Sequence, residues 1–223
     1  ARLAYDEAVG FYEDAIRACR SDEPVDQSEL AKLLLSRAEA EWRIGELQKA
    51  GDTFFEAARA ARESGVPSLL ARAAIGTCWG SWESFDADRV VQAVLLEEAL
   101  AVIGEQDGPL RAKLMAYLAH ILYFGGGCSE RAIGLVEEAH SLALRLGDPE
   151  TEFTLLTATQ FFLVVRQNAD RRMTSGNRCV EIAEESDDPE DLAEALAWRS
   201  VTWLSKGMCA EADADQARRA LLN

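Results

Sequence analysis

Apolar residues recur along this chain at intervals of three and four, the spacing of one face of an amphipathic helix. The first example covers residues 2–20, where Leu3, Phe11, Ala15 and Cys19 share a face. No segment has the alternation of apolar and polar residues that is typical of a half-buried strand. The pattern therefore predicts only helices, over about residues 2–20, 28–44, 46–64, 68–83, 88–104, 110–124, 129–146, 150–166, 170–186, 190–206 and 208 onward.

Five prolines divide this pattern at nearly equal intervals. They stand at positions 24, 67, 109, 149 and 189, which are 43, 42, 40 and 40 residues apart. A fixed period of this size marks a stack of similar supersecondary units. Proline suits the first turn of a helix, where the amide hydrogen that it lacks would have no partner, so we expect each proline to introduce the leading helix of a hairpin. The prediction is an all-α, antiparallel helix-hairpin solenoid of about five hairpins with a repeat of about 40 residues, forming one domain over residues 1–223.

Alignment on the prolines produces two columns of small or apolar residues. Seven positions after each proline, on the leading helices, stand Ala31, Ala74, Ala116, Leu156 and Leu196. Six positions before each proline, on the returning helices, stand Ala18, Ala61, Ile103, Ala143 and Ala183. Small residues let helix backbones approach closely, so we expect both columns to lie between packed helices.

The chain is strongly acidic, with 39 Asp and Glu against 23 Lys and Arg and a formal net charge of −16. Nucleic-acid binding needs clustered basic residues that contact phosphates. The pairs Arg171-Arg172 and Arg218-Arg219 are isolated, and we interpret both as solvated helix faces. We therefore expect no direct nucleic-acid contact, while an acidic exterior suits solubility or a basic partner.

Cysteine and histidine form no pattern typical of disulfides or metal sites. The five cysteines are widely spaced, which favours a reducing, cytoplasmic compartment. His120 and His140 have no carboxylate at ligand spacing, so we assign both to the repeat core or the surface. The most apolar run, residues 153–165, is shorter than the ~20 residues of a membrane span. We expect no cofactor, no metal and no membrane contact.

The helical pattern is already under way at Ala1 and still running at Asn223. We expect from this that the domain is excised from a longer polypeptide.

The segment EEAHSLALRLGDPE at 137–150 has looser copies in EAARAARESGVP at 56–67 and EEALAVIG at 97–104. These units resemble tetratricopeptide-like repeats. With a period of 40 to 43 rather than the standard 34, they are more narrowly similar to the MalT-like helical-repeat region of large bacterial ATP-binding regulators of the LuxR type and related signal-transduction ATPases. The resemblance covers essentially the whole chain. It implies a sensor arm between a nucleotide-switch module and a DNA-binding module.

Two motifs suggest catalysis but have simpler explanations. Asp187, Asp188 and Asp191 match the D-D-x-x-D pattern that holds magnesium in terpene synthases, yet acidic residues are also favoured around the first turn of a helix. The glycine run 125–127 lacks the following lysine and preceding strand of a phosphate-binding loop, so we predict a hairpin turn there. We expect no enzyme, and a magnesium-dependent α-helical enzyme is kept as a remote alternative.

Aromatic residues are enriched on the predicted leading helices. In tetratricopeptide-like arrays these helices line the concave surface, where aromatic side chains grip a peptide or small ligand. The alternative is that the rings fill gaps between stacked hairpins. The candidate groove residues are Trp79, Trp82, Phe85, Tyr123, Phe161 and Trp198.

The preferred hypothesis is a non-catalytic, cytoplasmic sensor domain of a bacterial transcriptional regulator or signalling ATPase. It would bind a protein, peptide or small-molecule effector in its concave groove and shift the populations of arrangements of attached modules. The second hypothesis is a stand-alone tetratricopeptide-like adaptor that binds proteins. A homo-oligomer is compatible with either.

Overall fold

The computed structural model describes residues 2–79, 86–126, 130–160 and 169–222, and all regular structure in these ranges is helical. The eleven helices found there are α1 Arg2–Ser21, α2 Gln27–Arg43, α3 Leu47–Ser64, α4 Pro67–Gly76, α5 Asp86–Ile103, α6 Pro109–Gly126, α7 Glu130–Leu146, α8 Pro149–Ala158, α9 Ala169–Ser186, α10 Pro189–Ser205 and α11 Cys209–Ala220. The prediction of an all-α fold is confirmed.

Consecutive helices pack as hairpins: α2 on α3, α4 on α5, α6 on α7 and α10 on α11, with α9 packing on the α8 that precedes it. Leading helices of successive hairpins also contact each other, α2 with α4 and α6 with α8. The helix-hairpin solenoid is therefore confirmed. The chain divides into two compact units, residues 1–106 with α1 to α5 and residues 107–223 with α6 to α11. In a stacked array each repeat contacts only its neighbours, so one domain can also divide into compact units between two repeats. The single domain over residues 1–223 therefore stays a prediction.

Four of the five prolines open a helix. Pro67, Pro109, Pro149 and Pro189 are the first residues of α4, α6, α8 and α10. Pro24 is different, because it lies in the bend after α1 and α2 begins only at Gln27. The proline signal is thus confirmed at four hairpins and displaced by three residues at the other.

The sequence Gly-Asp-Pro that begins α8 has a local physical explanation. Gly147 ends the preceding helix with a φ of 62°, in the left-handed region that glycine adopts without strain. The carboxylate of Asp148 then accepts a hydrogen bond from the Thr151 amide at 3.0 Å, and Pro149 occupies the first helical position. Each residue type therefore matches the backbone position that it occupies.

Burial supports one of the two alignment columns fully. All five residues of the leading column are buried, Ala31, Ala74, Ala116, Leu156 and Leu196. In the returning column Ala61, Ala143 and Ala183 are buried, whereas Ile103 is half-buried and Ala18 is exposed. For Ala18 the prediction was wrong, because α1 packs mainly against α2, whereas α3 packs against both α2 and α4.

One leading helix is shorter than predicted, and another is interrupted. Helix α4 ends at Gly76, and a turn follows in which the Trp79 amide donates to the Gly76 carbonyl at 3.1 Å. Helix α8 ends at Ala158, where the hydroxyl and the amide of Thr159 both donate to the Leu155 carbonyl, at 2.7 and 3.0 Å. Such side-chain bonding competes with helix continuation. Gln160 is again helical, and the rest of the predicted helix, 161–166, lies outside the described residues. Helix α6 is longer than expected, since Gly125 and Gly126, predicted as a turn, complete its last turn.

Candidate functional site

Three of the six predicted groove aromatics, Trp82, Phe85 and Phe161, lie outside the described residues. The other three are Trp79 in the turn after α4, Tyr123 on α6 and Trp198 on α10.

Trp79 packs against the interior of the first unit. Its ring centroid lies 5.4 Å from that of Trp42 and 5.3 Å from that of Phe54, which it meets edge to face. Phe54 is 1% exposed. Edge-to-face pairs at this separation are a normal way for large rings to fill a core. The contact favours the gap-filling interpretation of Trp79, and its role in a groove stays a prediction.

Tyr123 and Trp198 are both half-buried. Tyr123 meets Phe124 edge to face at 5.1 Å and packs on the small cluster of Ala119 and Ala132 between α6 and α7. The indole Nε1 of Trp198 donates to Glu194 Oε1, one turn earlier on α10, at 3.4 Å. Each ring therefore contacts its own helix or hairpin, and a groove role for Tyr123 and Trp198 stays a prediction.

A cavity of about 300 Å³ lies elsewhere, between the returning helices α7 and α9 with the leading helix α8 behind them. We call it the α7–α9 cavity. Neither Trp79, Tyr123 nor Trp198 lines it. Its lining residues are Ile133, Val136, Glu137, His140, Ala143 and Leu144 from α7, Glu152, Leu155, Leu156 and the adjacent Thr159 from α8, and Arg171, Thr174, Ser175 and Arg178 from α9.

Helical periodicity explains how three helices supply this lining. The residues from each helix recur at intervals of three and four, so they form a single stripe that faces the neighbouring helices. Leu155 and Leu156 are buried and form an apolar floor. Leu144 lines the cavity and is nevertheless 76% exposed, so an apolar side chain stands at the opening. The arrangement can hold a molecule that has both apolar and polar parts.

His140 is the central polar group of the cavity lining. Its Nε2 lies 3.3 Å from the hydroxyl oxygen of Thr159, and that hydroxyl already donates its only proton to the Leu155 carbonyl. The hydroxyl must therefore accept, so Nε2 carries the hydrogen and the neutral imidazole keeps Nδ1 as an acceptor. Burial lowers the pKa of His140, the charge of Arg171 lowers it further, and Glu152 opposes both. The ring is neutral at neutral pH.

The two arginines that line the cavity differ in their surroundings. Arg178 donates to both carboxylate oxygens of Glu152 at 3.0 Å and also pairs with Glu181 at 3.3 Å. This bidentate contact links α9 to α8 and neutralises both charges within the wall. Arg171 is exposed, and its charge acts on His140. Arg171 is thus the cation that stands beside the imidazole.

The prediction that Arg171-Arg172 and Arg218-Arg219 are solvated helix faces is correct for three of the four residues. Arg172 is only 5% exposed and donates to the Ser205 hydroxyl at 3.4 Å, which links α9 to α10. Adjacent positions on a helix are about 100° apart, so one arginine of the pair faces solvent while the other turns into the hairpin interface. The sequence signal for a charged pair does not distinguish the two.

A second cavity of about 280 Å³ lies in the first unit, between α1, α2 and the start of α3. Its charged lining comprises Asp6, Glu13, Arg37, Glu41, Glu46 and Lys49. These groups largely satisfy one another: Arg37 bonds to Glu41 at 2.8 Å and to Glu13 at 3.2 Å, and Lys49 bonds to Glu46 at 2.8 Å. The cavity has little apolar surface for a ligand, so its contacts are better explained as links between helices.

The candidate magnesium motif lies where a helix begins. Asp188 caps α10 and accepts from the amides of Glu190 and Asp191 at 2.8 and 3.4 Å. Over the described ranges, no three His, Cys, Asp or Glu side chains are grouped so that they could hold a metal ion. The role of Asp188 that the structure displays is capping.

No helix within the described residues is both long and apolar enough to cross a bilayer.

Sequence reasoning missed the α7–α9 cavity. It considered His140 only as a core or surface residue, and it looked for binding on the leading helices. The signal that was available is the stripe of mixed chemistry on α7, where Val136, His140 and Leu144 are spaced by four. That stripe lies beside Ala143, a member of the column that we expect to lie between packed helices.

Comparison with known proteins identifies a fold and nothing finer. No protein-family model matches this sequence, and no curated protein matches it significantly. Among solved structures, the chain is similar to BtubC (BKLC) from P. vanneervenii, with a TM-score of 0.62 and 19% sequence identity. The alignment covers 98% of this chain and 91% of that one. At this identity the likeness establishes a shared helical architecture.

Proposed function

We propose that this chain is a non-catalytic binding domain that recognises a small effector in the α7–α9 cavity. The observation that carries the proposal is the cavity itself: about 300 Å³, an apolar floor and a few polar groups that converge on it. Small-molecule sites range from ~300 to 1,000 Å³ and have this composition. The cavity lies at the lower end of that range, which suits a small molecule better than a peptide.

The position of the cavity suggests how binding would be transmitted. Helix α7 belongs to one hairpin, whereas α8 and α9 form the next. A ligand that contacts both would favour one arrangement of these two hairpins over others. Any difference in affinity between arrangements shifts their populations, and in a stacked array such a shift passes to whatever is attached at either end.

The MalT-like resemblance supplies a context for this mechanism. In a regulator of that type, the chain would be the cytoplasmic sensor arm between a nucleotide-switch module and a DNA-binding module. The complete reading frame tests this context. A nucleotide-binding module upstream and a helix-turn-helix module downstream would support it, and a reading frame that encodes this chain alone would contradict it.

A cavity-filling variant tests the binding function. Thr174 lines the cavity and is exposed, so Thr174→Phe places a ring in the opening without entering the core. The matched control is Asn177→Phe, one turn away on α9 and outside the lining. The parent chain and both variants are screened for thermal stabilisation by a library of small metabolites.

We expect at least one compound to raise the Tm of the parent and of Asn177→Phe but not that of Thr174→Phe. Ligands that act equally on all three proteins, or a library without any stabilising compound, would contradict a binding site in the cavity.

The adaptor hypothesis has one observation in its favour. Val90, Val91 and Val94 on α5 are 65%, 53% and 61% exposed, and clustered exposed apolar side chains often mark protein contacts. If the chain is an adaptor, a stoichiometric protein partner should be lost in a Val90→Ser, Val94→Ser double variant and kept in Thr174→Phe. Retention of the partner by the double variant would count against this face.

A further inference from the structure

We infer that the α7–α9 cavity takes a small amphipathic carboxylate, whose acid group is held by Arg171 and whose apolar part lies against Leu144 and Leu155. The inference rests on the proposed function and gives it a ligand class. Three features of the cavity lead to it: its apolar opening and floor, the distribution of charge on its walls, and the tautomer of His140.

The apolar part of the ligand follows from Leu144. This side chain is among the most exposed large apolar groups in the described part of the chain, at 76%, yet it belongs to the cavity lining. Leu155, which also lines the cavity, is fully buried. A hydrocarbon segment placed between them would remove the exposed leucine from water, and burial of apolar surface is the main general source of affinity.

The acid group follows from the charges on the walls. Four lining residues are formally charged, Glu137, Glu152, Arg171 and Arg178. Arg178 and Glu152 satisfy each other through two parallel hydrogen bonds, so a ligand would have to break that pair to use either. Arg171 is exposed at the cavity, and its guanidinium has five donors, enough to bind a carboxylate in addition to an existing contact. A carboxylate gains this additional charge-assisted contact with Arg171, whereas a neutral ligand of the same shape gains only an ordinary hydrogen bond.

His140 adds a polar contact that depends on its protonation. In the neutral ring Nε2 is directed to Thr159, and Nδ1 remains an acceptor for a ligand hydroxyl or amide hydrogen. A bound carboxylate would favour the protonated ring. Since binding and protonation are linked, a carboxylate should bind more tightly as the pH falls toward the pKa of His140. The charge of Arg171 opposes protonation of the ring, and the charge of Glu152 favours it. Glu137 and Arg178 are the other charged groups of the lining.

Hexanoate and hexanamide are matched probes, because they differ in charge but hardly in shape. Their dissociation constants are measured by ligand-detected NMR for the parent chain and for Arg171→Gln. We expect hexanoate to bind the parent roughly fivefold more tightly than hexanamide, which is the effect of an ion pair worth ~1 kcal/mol. Arg171→Gln should abolish the difference. The control Arg145→Gln, on α7 but outside the lining, should keep it.

The apolar contact has its own pair of variants. Leu144→Ser should weaken both probes severalfold, whereas Leu204→Ser, an equally simple change at an exposed leucine of α10, should leave them unchanged. The pH arm compares hexanoate at pH 8 and pH 6, and tighter binding at pH 6 should disappear in His140→Gln.

The outcomes separate this inference from the proposed function. If both probes bind equally well and Thr174→Phe weakens both, the cavity is a binding site but the carboxylate class is wrong. If the preference for hexanoate survives Arg171→Gln, the assignment of the acid group is wrong. If neither probe binds while the screen yields a compound whose effect Thr174→Phe removes, the inference is overturned and the proposed function stands. If Thr174→Phe has no effect on the affinity of any ligand that binds, both the inference and the proposed function are overturned.

Discussion

Among the glycines of the described residues, Gly76 at the end of α4 is the one at which an added side chain would clash with a ring. A Cβ atom added at this position would lie 2.3 Å from both Cδ1 and Cε1 of Phe54 and 2.6 Å from its Cζ. Real Cβ atoms do not approach other atoms this closely. The ring has no room to yield, because Phe54 is 1% exposed and packs edge to face on Trp79 at 5.3 Å. Gly76→Ala is therefore a sensitive test of how α3 packs on α4.

Two effects of opposite sign decide the size of the change. Alanine is favoured over glycine in a helix by ~1 kcal/mol. Forcing an extra carbon into a packed core costs ~1–3 kcal/mol, and displacing Phe54 from Trp79 adds ~0.5–1.5 kcal/mol. The clash should prevail, with a net loss of about 2 kcal/mol in the free energy of unfolding and a fall in Tm of about 4–8 °C for a chain of this size.

The assay is urea and thermal unfolding of the parent, Gly76→Ala and Gly51→Ala. Gly51 lies within α3, where an added Cβ would meet nothing within 4 Å, so Gly51→Ala should stabilise the protein by up to ~1 kcal/mol. Phe54→Leu should lower the free energy of unfolding less in the Gly76→Ala variant than in the parent, because the smaller side chain relieves the clash. If Gly76→Ala is as stable as Gly51→Ala, the packing described for α3 and α4 is wrong.

Three further changes test other features of the structure. Asp187 has a φ of 57° at the position that Gly147 holds before α8, so Asp187→Gly should raise the free energy of unfolding by ~0.5–1 kcal/mol. The control Ser186→Gly, at the last residue of the preceding helix, should lower the free energy of unfolding. A lower free energy of unfolding in Asp187→Gly would show that the left-handed backbone at Asp187 costs no stability. Because the folded-state pKa of His140 lies below its ordinary value of 6.5, its contribution to stability is present above pH 6.5 and is lost as the pH falls below it. Unfolding by urea at pH 7.5 and 5.5 should accordingly show a smaller acid destabilisation in His140→Gln, and an unchanged pH dependence would refute the role of burial. Thr53→Val removes the 2.7 Å hydrogen bond to the buried carboxylate of Glu41. In the same assay it should lower the free energy of unfolding by ~1–3 kcal/mol. Nearly equal stability of Thr53→Val and the parent would contradict this prediction.

The repeat was readable from the sequence because each of its signals has a local cause. Proline at Pro149 and the cap at Asp148 depend only on the backbone of the first helical turn. The leading-helix column, such as Ala31 and Ala74, is fully buried because the same packing recurs in each hairpin. Such signals require no knowledge of which distant residues meet.

The proposed binding site was not readable because the cavity depends on contacts between hairpins. His140 is polar by itself, and its role emerges only when Thr159 and Arg171 are brought beside it from α8 and α9. Similarly, nothing in the sequence distinguishes Arg171, exposed at the cavity, from Arg172, buried against Ser205. Aromatic enrichment was a weaker guide, since a ring such as Trp79 fills a core as readily as it lines a groove.

We propose that α7, α8 and α9 together form the binding site for a small effector, and methyl-resolved NMR can locate that site. Hexanoate is titrated into the chain with its leucine methyl groups labelled. We predict saturable shifts of Leu144, Leu155 and Leu156, which line the cavity, while Leu34 and Leu35 in the core of the first unit stay unchanged. Shifts that are absent from the three cavity leucines, or that centre on the first unit, would contradict a binding site in the α7–α9 cavity.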